Sequence, residues 1–162
     1  MSSRFLYLVI FTAVAVLTLW VFTLSDESSD KAVADSLLLP GISGQINSVD
    51  RVEVVTGGNR VVATLLKNEA GWQLEQMGGY RADWPKLQSL LATLAQAKVV
   101  ETKTDKPEYY ARLGVEGVGS ADAASVLVRL GVSGKTTGVL VGNEARARQG
   151  QYVRLENSAA SA

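Results

Sequence analysis

The chain has 162 residues, sixteen of them basic and sixteen acidic, and it contains neither cysteine nor histidine. Those absences exclude disulfides, thiolate metal sites and Ser–His–Asp or Cys–His catalysis, and they remove the usual zinc ligands. Balanced charge supplies no field to draw nucleic acid or an anionic surface. No cofactor, metal or enzymatic activity is expected.

Phe5–Leu24 runs for twenty residues without a charge. As a helix it would span about 30 Å, the thickness of a bilayer's hydrocarbon core. Thirteen of its residues are Leu, Ile, Val or Phe, each favouring insertion by about 0.3–0.6 kcal/mol near mid-span. Arg4 and the amino terminus precede the run, while Lys31 is the sole basic residue in the stretch that follows, 25–48. This bias predicts a cytoplasmic tail (1–4), a transmembrane anchor (5–24) and everything from Ser25 outside. A competing reading is a secretory signal cleaved after Ala34, and the length of the apolar run argues against it.

Residues 25–48 read as a linker, Ser- and Asp-rich at first and then carrying Leu37-Leu38-Leu39-Pro40-Gly41. Those leucines are expected on the head's own core rather than on a membrane-proximal partner. The head is expected over 49–157. Arg51–Thr56 and Arg60–Lys67 form a hairpin about Gly57-Gly58-Asn59, and Trp72–Met77 adds a third strand. Asp83 then caps a helix to about Ala97, with Pro85 in its first turn. Its stripe of Trp84, Leu87, Leu90, Leu91 and Leu94 covers the sheet.

Lys98–Lys103 reads as another strand, and Pro107 opens a short helix stopped by Gly114. The Gly-rich stretch Gly114–Ala123 reads as a flexible connector, because it lacks the third glycine and the strand–helix setting of a dinucleotide loop. Ser125–Leu130, Lys135–Val141 and Gln151–Glu156 make a second meander, and 158–162 a disordered tail. The predicted class is therefore α+β: an N-terminal transmembrane helix, then two three-stranded antiparallel meanders packed around one main amphipathic helix.

Tyr80 and Arg81, between strand and helix, are candidate contacts for a partner or ligand, with Glycine-78 and Glycine-79 supplying the turn. Arg112, Arg146 and Arg148, with Arg154, form a candidate basic patch. The carboxylates show no spacing that pairs them as acid and base.

Several strings together resemble a known bacterial family. They are LLPG after the anchor, VDRVEV, GW, the long GGYRADWPKLQSLLATLAQAKVVETKT, PEYYARLGVE and QYVRL. The chain is similar to the domain of unknown function numbered forty-three forty, at about half the usual length, and so with the edge of its last strand left open. The resemblance implies a membrane-anchored extracytoplasmic protein, associated with ABC transporter components of the gliding-motility type. It carries over no catalytic residues. The expected function is a non-catalytic accessory or binding protein with a protein partner in the envelope, anchored N-in in the bacterial inner membrane, without nucleic acid. The alternatives are an enzyme acting on envelope polysaccharide through a carboxylate pair, and an oligomerising spacer.

Overall fold

A computed structural model describes residues 36–146 and 150–162. The anchor at 5–24, the linker through residue 35 and Arg148 lie outside the described residues. Among those described, no helix is long and apolar enough to cross a membrane.

The strands are β1 (Val49–Thr56), β2 (Arg60–Asn68), β3 (Gly71–Leu74), β4 (Tyr80–Arg81), β5 (Val126–Val132), β6 (Lys135–Glu144) and β7 (Gln151–Leu155). The helices are α1 (Pro40–Ser43), α2 (Trp84–Gln96) and α3 (Tyr110–Leu113). The two expected meanders are one seven-stranded antiparallel sheet, in the order β4-β3-β2-β1-β5-β6-β7. They fuse where β1 pairs with β5, Val52 opposite Leu130 and Val54 opposite Val128. β1 and β5 are rich in β-branched residues, and pairing them leaves neither with an open edge.

Period two then decides the two faces. On one, Val52, Trp72, Leu130 and Val139 form the main core with Leu87, Leu91 and Leu94 of α2. On the other, Val55, Leu127 and Leu140 are covered by Val118 from the Gly-rich stretch. That stretch is packed rather than a free connector. Gly58 and Asn59, at φ +74° and +55°, turn the β1–β2 hairpin, and their N–H groups donate to Ser120 and Val118 carbonyls at 2.8 Å.

α2 forms as its sequence dictates. Asp83 accepts the Lys86 N–H at 3.3 Å and its carboxylate also pairs with the Lys86 ammonium. Its apolar stripe is narrower than expected. Leu87, Leu91, Leu94 and Ala95 are buried, whereas Trp84 and Leu90 are exposed.

Four further expectations are corrected. The third strand stops at Leu74 because Glu75–Met77 coils into a 3-10 turn, which lets the Gln76 side chain complete the β2 ladder: the Thr64 N–H donates to Gln76 Oε1 at 2.8 Å, and Gln76 Nε2 donates to Thr64 Oγ1 at 2.9 Å. Lys98–Lys103 forms no strand, since its neighbours offer only single bridges, Leu37 to Lys98 and Thr104 to Ser161. The head begins before Val49 because Leu38 and Leu39 dock on the main core, as expected of them, and Ile42 joins them; the Leu38 N–H donates to the Ala97 carbonyl at 2.7 Å. Residues 158–162 are bound rather than disordered. Val153 and Ala162 exchange backbone hydrogen bonds of 2.8 and 2.9 Å, which covers part of the β7 edge.

Candidate functional site

β1 and β5 place outward residues side by side on the face opposite α2, and pairing sets Glu53 against Arg129. Arg129 donates to Glu53 Oε2 at 2.9 Å and, from two nitrogens, to Glu156 at 2.7–3.2 Å. Arg51 adds a 3.3 Å contact to Glu53. Glycine at 138, opposite Arg129 in the β5–β6 ladder, gives the Glu156 side chain its room. The hydrogen bonds from Arg129, aided by Arg51 and opposed by burial, hold the Glu53 carboxyl below the usual glutamate range. Both carboxylates are thus spoken for by one guanidinium, and Glu53 is a poor proton donor at neutral pH. Sequence reasoning missed this cluster. Its signal was period two: Glu53 and Arg129 alternate with the buried Val52 and with Val128 and Leu130.

A second internal tie uses Arg154. Its guanidinium lies 4.5 Å from the Tyr110 ring centroid and donates to the carbonyls of Val115 and Ser158 at 2.9 and 2.8 Å. This arginine fastens the α3 arm and the tail to β7, so it is withdrawn from the expected basic patch. Arg112 is exposed on α3, 5.9 Å from the Tyr109 ring centroid, and Arg146 is exposed in the turn after β6.

Tyr80 and Arg81 sit at the opposite end of the sheet. They are the whole of the edge strand β4, paired with Leu74 and Gln73 of β3. Tyr80 is 69% exposed, and Met77, three residues earlier, is exposed as well. The sheet order therefore separates the Tyr80 edge from the arginines near β6, so the predicted contacts fall in two places. Among the described residues, no group of three or more acidic side chains is placed to hold a metal ion.

Residues 72–160, from β3 into the tail, match the model of a family described as a domain of unknown function, DUF4340. No curated protein and no solved structure matches the chain.

Proposed function

This chain belongs to the DUF4340 family, and on that premise we propose that it is a membrane-anchored accessory protein that binds a protein partner outside the cytoplasm. Residues 5–24 hold it N-in in the inner membrane, and the head projects outward. The partner belongs to an envelope assembly of the ABC transporter kind. The observation that carries this reading is the Tyr80 edge. An exposed aromatic at the edge of the sheet offers apolar surface of the kind that anchors protein interfaces.

The charged groups support a binding role over catalysis. Glu53, Arg129, Glu156 and Arg154 satisfy one another or the backbone. The polysaccharide-enzyme reading requires a carboxylate free to give up a proton, and the Glu53–Glu156 pair has an arginine between its members. A photoreactive residue in place of Tyr80, irradiated in intact membranes, tests the proposal. Capture of one defined envelope protein supports it. Recovery of the chain alone, or of a multiple of its own mass, refutes it, the latter in favour of an oligomerising spacer.

A further inference from the structure

The chain enters the head along a short ladder. The Leu38 N–H donates to the Ala97 carbonyl at 2.7 Å, Leu37 lies opposite Lys98, and the Val99 N–H donates to the Ser36 carbonyl at 2.8 Å. The three pairs share one antiparallel register, so each residue before Ser36 falls opposite the next one after Val99. Asp35 then comes opposite Val100, which is 63% exposed. The ladder has a far limit as well. The Lys103 N–H and the Thr104 carbonyl are already bonded to Ser161, so the linker parts from the backbone at about Ala34.

Direction follows from that register. Read backwards from Ser36, the linker runs toward Thr104. Thr104 is bridged to Ser161, and Ser161 to Arg154 of β7, the last strand of the sheet. The tether therefore leaves on the β7 side, where Arg154 and Tyr110 hold the α3 arm. Tyr80 lies on β4, six strand spacings away, or roughly 29 Å at 4.8 Å each. Only residues 25–33 remain between the ladder and Leu24, the end of the uncharged run. Nine residues fully extended reach at most about 32 Å. A tether no longer than the sheet is wide holds the β7 side near the lipid and leaves the β4 side to stand away from it.

We propose that the linker continues this register, with Asp35 opposite Val100, and leaves the head on the β7 side. That turns β7 and α3 toward the membrane carrying residues 5–24 and the Tyr80 edge away from it. The edge then meets a partner whose outer part stands clear of the bilayer. The orientation rests on the anchor in the proposed function, and the ladder does not.

The absence of cysteine lets both halves be tested in the full-length chain. Ser36 and Val99 are a hydrogen-bonded pair, so positions 35 and 100 form the closer kind, with Cα atoms about 4.5 Å apart and within disulfide range. Asp35→Cys with Val100→Cys is expected to close an intramolecular disulfide, blocking both thiols to maleimide until reductant is added. Asp35→Cys with Thr102→Cys, out of register, is expected to close several-fold more slowly. Pairs that close alike, or thiols that stay open, overturn the ladder. Arg112→Cys on α3 and Met77→Cys just before β4, both at exposed positions, are then made singly, given a donor dye and placed in lipid discs with an acceptor on the headgroups. Energy transfer several-fold stronger from position 112 is expected. Equal transfer, or stronger transfer from 77, overturns the orientation. Protein that fails to travel with the discs sinks the anchor and the orientation together.

Discussion

Arg129 on β5 grips Glu156, one residue past the end of β7, through Nε bonds of 3.1 and 3.2 Å and an Nη2 bond of 2.7 Å. The same guanidinium reaches Glu53 on β1, so one side chain links β1, β5 and, across β6, the residue that follows β7. Arg129→Met should leave two carboxylates near each other without their cation. Charge-assisted bonds contribute about 1.5–3 kcal/mol each, but the side chain is about one-third exposed, so water screens the loss. A cost of about 1–3 kcal/mol is expected in denaturant unfolding, and Arg129→Lys should restore part of it. A loss near zero would show the cluster to be ornamental.

The same cluster sets an acid limit. The Glu53 carboxyl is held below its usual value near 4.5, chiefly by hydrogen bonds from Arg129. A group with a depressed folded-state pKa adds stability above its unfolded pKa and loses it as pH falls through the folded value. The stability gap between the parent and Glu53→Gln should therefore be constant near neutrality and close below about pH 4.5. Paired unfolding curves down to about pH 3 check this. A gap that widens in acid would contradict the assignment.

Two glycines on that face test close packing. A Cβ on Gly142 would meet the Gly114 carbonyl oxygen at 2.8 Å and press on that of Leu113, both backbone. A Cβ on Gly138 would run into the Glu156 side chain, whose Cβ stands at 2.9 Å but whose carboxylate can swing away. Gly142→Ala should cost about 1–3 kcal/mol, and Gly138→Ala less. Thermal melting of the two variants orders them.

The tail gives a local reading. Deleting 158–162 removes the Ala162 partner of the Val153 N–H, the Ser158 acceptor of Arg154 and the bond from Ser161 Oγ to the Thr104 carbonyl at 2.8 Å. At about 1 kcal/mol net per bond, a loss of a few kcal/mol is expected. The Val153 amide should then exchange much faster with solvent while the Leu130 amide, in the middle of the sheet, is slowed by the same core as before. Uniform loss of protection would instead mean that the tail holds the whole fold.

The local elements were legible in the sequence because their causes are local. The Asp83 cap, the Gly58-Asn59 turn and the left-handed stop at Gly114 rest on residues within a few positions of one another. The β1–β5 seam was not, since Val52 and Leu130 are brought together across the chain and each strand already had a plausible neighbour. Helical spacing puts Trp84 and Leu90 on the core stripe, yet both are exposed, whereas the docking expected of the leucines before Pro40 holds for Leu38 and Leu39. The entering segment takes Leu38 and Leu39 into the core beside α2, and the stripe narrows to Leu87, Leu91, Leu94 and Ala95. Of the candidate site, the exposed Tyr80 and Arg81 follow from their place between turn and helix. The Arg129 cluster was hidden because its three members lie far apart in sequence.

Leu91→Ala and Leu90→Ala make the helix face measurable. Leu91 is buried, so truncation should cost about 2–5 kcal/mol, while the exposed Leu90 should cost under about 1 kcal/mol. Equal losses would mean that the helix is rotated from the orientation described.

The absence of cysteine permits the most direct test of the anchored, outward-facing head. Ser3→Cys and Asn157→Cys, made singly in the full-length chain, are treated in intact spheroplasts with a maleimide that cannot cross membranes. Labelling at position 157 without lysis, and at position 3 only after lysis, is the result expected. Labelling at position 3 with protection at 157, or release of a labelled head into the supernatant, would contradict it.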